Sequence, residues 1–244
     1  MIMKFGIVKS TFFLIFVSLI HIAPTFSAMY VYPMEASVGV KGASQIKVIS
    51  QDNEVKFIKV SLKQVFQAGT AQEHEENSDA SSSAGLIITP LKIALSPSSQ
   101  RIVRLVSVVP PKKETTWRAY FENVNEDNFI TQADDLKSPA AKASVGVNVV
   151  WGVLIHVAPE TIKPSLTFTE GSSKVFNNGS IRIPIKEVGE CESNNQCKWT
   201  KIDKIVYPDA EFNLAGITFS RGKMYRVKYI NWITEKTEEL SLSQ

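Results

Sequence analysis

The sequence predicts an all-β protein built as two sandwich domains. Three observations carry that expectation. Short runs rich in valine, isoleucine and aromatic residues recur along the chain, among them SQIKVIS, EVKFIKVSLKQV, QRIVRLVSVV and TTWRAYFENV, each bounded by turn-forming residues. No stretch sets apolar residues at helical spacing over several turns. The segment APETIKPS (158–165) then interrupts the runs with two prolines, which confine the chain to extended or turn conformations and divide the strands into two groups.

The 244 residues open with MIMKFGIVKSTFFLIFVSLIHIAPTFSAMY. Lys4 and Lys9 precede an apolar core from about Thr11 to Ile22, followed by the small residues Ser27 and Ala28, which is the pattern of a secretory signal peptide over 1–28. The apolar core is too short for a good membrane span, and no later run reaches spanning length, so a released, soluble mature chain is expected. The net charge of +3 includes the leader. With no basic block and no interleaving of basic and aromatic residues, nothing points to nucleic acid.

Residues 29–158 form the first expected domain and 159–244 the second. GLIITPLKIAL (85–95) reads as one more strand of the first. Two long breaks interrupt it. AGTAQEHEENSDASSSAG (68–85) is acidic and serine-rich and reads as a loop, and NVNEDNFITQADDLKSPAAKA (123–143) is long enough to be functional or disordered. In the second domain SLTFTE, KVFNNGSIRIPIKEV, KWTKIDKIVYP and KMYRVKYINWI read as strands, and Asn178-Gly179 reads as a hairpin turn needing positive φ. Cys191 and Cys197 lie one hairpin apart in GECESNNQCKW, and a disulfide is the default for such a pair in a secreted protein.

Chemistry is hard to find. There is no nucleotide-binding glycine loop, serine elbow or zinc helix motif, so neither an enzyme nor a cofactor or metal is expected. His74 sits in the acidic loop, His156 reads as a surface or packing residue, and the paired acids Glu75-Glu76 and Asp134-Asp135 read as solvated. The information lies in the strands. ASVGVNVVWGVLIHVAP (143–159) places Val145, Val147, Val149, Trp151, Val153, Ile155 and Val157 on one face, over a length unusual for one strand.

VYPMEASVGVKGAS (31–44), EVKFIKVSLKQV (54–65), GLIITPLKIALSPSSQRIVRL (85–105), PPKKETTWRAYFENV (110–124) and SVGVNVVWGVLIHVAP (144–159) follow one another in an order that resembles the periplasmic chaperones of the chaperone–usher pathway. These are the PapD-like superfamily, and the likeness is to the alternate branch serving class 5 colonisation-factor fimbriae. The resemblance implies two immunoglobulin-like domains set as an L around a cleft. It also implies donor-strand complementation, in which the last strand of the first domain, here 144–157, is lent to a pilin subunit that lacks one. Val145, Val147 and Val149 fall on the family's donor positions, with Trp151 and Val153 extending the face towards the hinge. Burying three valines would contribute about 4–5 kcal/mol at ~1.5 kcal/mol each. Ile155 and Val157 read instead as the chain's own core.

The family's two cleft bases are missing, since their positions hold Ser37 and Leu154. Arg118 is the candidate anchor for a pilin's C-terminal carboxylate, against a local pairing with Glu114 or another acid; Lys41 and Arg104 are weaker candidates. Glu114 matches a family acid that bridges the domains, but its partner's position holds Ala158, which puts that role in doubt. The expected partners are pilin subunits and an outer-membrane usher in the periplasm. When pilin-free, the ridge would be capped by the 123–143 loop or by a second copy. The alternative is a secreted two-domain adhesin or pilus structural subunit.

Overall fold

Alternation of apolar and polar residues becomes strand throughout the computed structural model, which describes residues 29–40, 42–77, 85–130, 148–193 and 196–244. The leader expected over 1–28 lies outside the described residues. Two sheets form the first sandwich. One runs β1 (Met29–Tyr32), β3 (Ala43–Ser50), β8 (Gln100–Ser107), β6 (Leu86–Thr89); the other runs β2 (Glu35–Val38), β10 (Val150–Val157), β9 (Thr115–Val124), β4 (Lys56–Phe66), β5 (His74–Asn77), with β7 (Lys92–Leu95) also on β4. Inward positions such as Ile46, Val48, Ile58, Leu105, Phe121 and Ile155 are fully buried between the two sheets.

Two prolines decide how the chain is shared between these sheets. β1 and β2 flank Pro33, and β6 and β7 flank Pro90; in each case the chain leaves one sheet and joins the other. Proline brings no amide donor to a ladder, so a strand breaks where it stands. GLIITPLKIAL, expected as one strand, is therefore two strands in opposite sheets. The expected loop at 68–85 also differs, because His74–Asn77 pairs with Lys63–Phe66 as β5. From the 123–143 break a single turn of helix, α1 (Glu126–Ile130), is described, with Phe129 against Phe57 at 4.9 Å between ring centroids.

A second core begins at Leu166 and is centred on Ile181, Ile183, Phe219, Val227 and Tyr229. Its sheets are β11 (Thr167–Phe168), β12 (Lys174–Phe176), β15 (Glu211–Asn213), and β14 (Gln196–Val206), β13 (Ile183–Ser193), β16 (Met224–Asn231), β17 (Lys236–Ser241). Cys191 and Cys197 face each other across β13 and β14 and are bonded.

Asn178-Gly179 is not the expected hairpin. β12 and β13 belong to different sheets, and Gly179 is not among the glycines with positive φ. Its need for glycine is steric, since a Cβ there would lie 2.5 Å from the Lys163 carbonyl oxygen and 2.6 Å from the Ser165 amide nitrogen. This close approach locks the 158–165 segment onto the second core. Ser180 adds a bond from its amide to the Lys163 carbonyl (2.8 Å) and one from its hydroxyl to the Thr161 carbonyl (2.6 Å). The fully buried Asn177 holds the turn itself, donating to the Ile181 and Val206 carbonyls and accepting from the Gly179 amide.

The disulfide closes a loop only six residues long in sequence separation. Its removal by Cys191→Ser with Cys197→Ser should lower stability by about 2 kcal/mol through the unfolded chain, read as a lower urea midpoint for the second core.

Candidate functional site

The site is built on β10 and the strands beside it. Over Val150–Val157, β10 pairs antiparallel with β9, from Val150 opposite Glu122 to Val157 opposite Thr115. On its other edge only Leu154–Val157 is paired, in parallel, with Glu35–Val38. The Leu154 amide donates to the Met34 carbonyl and the Ala158 amide to the Val38 carbonyl, so even-numbered residues turn their main-chain groups to that edge. By the same alternation Val150 and Gly152 present theirs where no described residue pairs with them.

The apolar ridge divides nearer the start of β10, between Val153 and Val149. Ile155 and Val157 lie in the first core, as expected. Val153, expected on the lent face, lies there too and is fully buried. It is a correction with a simple cause: the sandwich extends one strand position further than the sequence indicates, and Val153 sits opposite Ala119, itself fully buried. Trp151 is half-buried against the core, its indole Nε1 buried and without an acceptor among the described residues. Val149 is 50% exposed. Val145 and Val147 lie outside the described residues.

Two charged clusters occupy the outer side of this sheet. The first joins the domains. The Glu114 carboxylate, wholly inaccessible, accepts from the Arg182 amide (2.8 Å), Arg182 Nη1 (2.5 Å) and Trp232 Nε1 (2.9 Å). Arg182 Nη2 lies 3.2 Å from Glu35, and its guanidinium carbon 4.7 Å from the Trp232 ring centroid. The His156 ring completes the group, Nε2 lying 3.3 Å from Glu35 and Nδ1 3.3 Å from Glu114. Burial pushes the Glu114 carboxyl up, but the His156 hydrogen bond and the Arg182 charge outweigh it and hold the group below its ordinary 4.5. Glu35 is held below 4.5 as well, first by its hydrogen bond to His156.

Glu114 thus bridges the domains, and the doubt raised by Ala158 is removed: the cation comes from beyond the hinge, from Arg182. His156, read as an ordinary strand residue, is 1% exposed at the centre of the cluster. The one visible signal for Arg182 is an arginine enclosed by isoleucines in IRIPI.

The second cluster surrounds Arg118, which stands opposite Leu154 on β10 and opposite Lys63 on β4. Its Nη1 donates to Glu75 and its Nη2 lies 3.4 Å from Glu73. Tyr120 Oη lies 2.8 Å from both Glu75 oxygens, and Lys63 Nζ 3.7 Å from one of them. Burial would lower the Arg118 pKa, but the Tyr120 and Glu75 partners outweigh it and raise it. Arg118 therefore has a local acid, Glu75 rather than Glu114. Ser37 pairs with His156 in register, Arg104 is exposed on β8 of the opposite sheet, and Lys41 lies outside the described residues. Between the domains a cleft of about 580 Å³ is lined by Val65, Phe66, Thr116, Tyr207, Pro208 and Glu211, among others.

No family model matches the chain. Two Escherichia coli proteins are similar to it. The first, a CFA/I fimbrial subunit, is 28% identical over 192 residues, covering 75% of this chain and 78% of that protein. The second, a CS1 fimbrial subunit, is 27% identical over 208 residues, covering 82% and 85%. Among solved structures, the class 5 fimbriae chaperone CfaA aligns with a TM-score of 0.71 at 25% identity, covering 88% of this chain and 99% of that one. A chain from a chaperone–tip adhesin complex vital for CFA/I fimbriae biogenesis aligns with a TM-score of 0.70 at 25% identity, covering 88% and 97%. The CsuC–CsuE chaperone–adhesin complex of Acinetobacter baumannii, at 11% identity and a TM-score of 0.50, shares the fold.

Two measurements follow from this geometry. In urea titrations Ile155→Ala should cost about 2–5 kcal/mol, as a fully buried side chain leaving a cavity, whereas Val149→Ala should change the isolated chain by less than about 0.5 kcal/mol. The second concerns acid. Because the folded-state values of Glu35 and Glu114 are depressed, their stabilisation is complete above 4.5 and is lost as pH falls through those values. Stability should therefore decline below about pH 4.5, with a shallower slope in Glu114→Gln.

Proposed function

We propose that this chain, a PapD-like chaperone of the class 5 kind, works in the periplasm without ATP, holding pilin subunits by donor-strand complementation and passing them to an outer-membrane usher. The observation that carries the reading is the divided β10. Its hinge half is paired on both edges and fills its own core, while Val150–Val153 keeps one edge unpaired among the described residues, beside an exposed Val149. A pilin sandwich missing a strand has the complementary need: an unpaired edge and an open apolar groove, both prone to aggregation. A strand added along Val150–Val153 supplies main-chain bonds, and the ridge residues Val145, Val147 and Val149 supply apolar filling. Trp151 would close the groove at the end nearest the hinge.

In this reading residues 1–28 are removed on export, and 29–158 and 159–244 act as two domains whose relative placement is held by Glu114 and Arg182. The pilin's C-terminal carboxylate is gripped by Arg118. A pilin-free molecule covers its ridge with its own 123–143 segment or with a second copy. The E. coli relatives are named fimbrial subunits, which is the observation behind a second reading, that of a structural subunit. Two separately filled cores argue against it, since a donor-strand subunit is a single incomplete sandwich.

Co-expression with candidate pilins, followed by purification from the periplasm, separates the two readings: a chaperone returns one-to-one complexes, and a structural subunit forms fibres. Arg118→Ala should reduce capture about tenfold or more, the loss of a charge-assisted bond. It should leave the melting temperature within a few degrees, because a part-exposed ion pair contributes little to folding. Undiminished capture would exclude Arg118 as the anchor.

A further inference from the structure

Arg118 already holds a carboxylate. Lys63 on β4 and Arg118 and Tyr120 on β9 face the same way and converge on Glu75, the only carboxylate that all three touch among the described residues. Glu73 joins at the margin, one oxygen 3.4 Å from Arg118 and the other accepting from the Gly69 amide at 2.8 Å. Two cations thus face two anions, and the group is balanced as it stands.

The segment that delivers these acids is lightly held. β5 is four residues long, pairs only with β4 among the described residues, and keeps no residue fully buried. It is entered through a turn in which Gln67 and Gly69 adopt positive φ. The three receiving side chains, by contrast, stand on long strands inside the sheet. The receiving residues stand on inner strands and their occupant on an edge strand.

Its position decides what competes for it. Arg118 stands opposite Leu154, where β2 begins to cover β10, and its Cδ lies 3.4 Å from the point a Cβ on Gly152 would occupy. A strand added along Val150–Val153 ends against β2, within reach of this guanidinium. From these contacts we infer that Glu75 is a built-in stand-in for the client's carboxylate, and that the 68–77 hairpin must release Arg118 before a client's C terminus can be gripped. The inference rests on the chaperone reading above.

Exchange of one carboxylate for another leaves the charge balance of the site unchanged, so displacement of Glu75 offsets part of the anchor's affinity and the remainder discriminates a carboxylate end from an amide end. A strand ending in a carboxylate replaces what it displaces. One without it leaves Glu75 in place or Arg118 unpaired.

The test uses the C-terminal strand peptide of a pilin captured by co-expression, as free acid and as amide, titrated against the full chain. The wild type should bind the acid more tightly than the amide. Glu75→Gln should raise affinity for the acid about two- to tenfold while leaving the amide unchanged, and Glu75→Asp, which keeps the charge, should fall between. Arg118→Gln should abolish the difference between acid and amide. If the wild type and Arg118→Gln discriminate as stated but Glu75→Gln binds the acid no better, the stand-in is overturned and the anchor survives. If the wild type does not distinguish acid from amide, both fall. If Glu75→Gln strengthens acid and amide alike, the hairpin is a steric cover rather than a carboxylate mimic, and the inference is overturned.

Discussion

A strand must satisfy two edges, and among the described residues β10 satisfies both along only half its length. Four of its eight residues are paired on each side, and the other four on one. The limit is set by β2, which Pro33 sends across to the second sheet and which is only four residues long. Had β2 covered the whole of β10, both edges would be paired and there would be no place for another strand. The unpaired stretch is the kind of edge that soluble proteins normally blunt with charge or a bulge. Here it carries valine and glycine.

The outer face of the same sheet is arranged around charge. Glu114, His156 and Arg182 tie the hinge half of β10 to the second core, so the end of β10 that is fully paired is also the end fixed between the domains. A buried carboxylate is costly unless it is paired and fully hydrogen-bonded. Glu114 meets that condition with groups from both domains, which makes the interface specific as well as closed. The Arg118 group lies nearer the free edge and is only partly buried. Its pairing is easier to exchange than that of the buried Glu114 group.

How much of this was legible depended on what each strand buries. β3, β4, β8, β9, β14 and β16 were readable because valine, isoleucine and aromatics recur in them at period two. HEEN, EFN and KTEELS, the strands β5, β15 and β17, were not, because edge strands held mainly by main-chain bonds need no apolar face. GLIITPLKIAL misled because both halves have strand character and only the sheet assignment reveals the crossover at Pro90. Asn178-Gly179 misled because glycine serves there for close approach to Lys163, a contact with a segment well removed in sequence. Arg182 was invisible as a partner of Glu114 because 68 residues separate them.

By itself the sequence determined the all-β class, the alternation that puts Val149 through Val157 on one face, the cysteine pair suited to a disulfide, and the ordered motifs that pointed to a pilus chaperone. Those are local properties, set by side-chain period and turn chemistry. Tertiary structure alone decided where the ridge stops being core, between Val153 and Val149, because that depends on how far two sheets overlap. It also decided which acid each arginine meets. Arg118 meets Glu75 and Arg182 meets Glu114 because strands distant in the chain became neighbours, and period-two alternation carries no information about which strand that neighbour is.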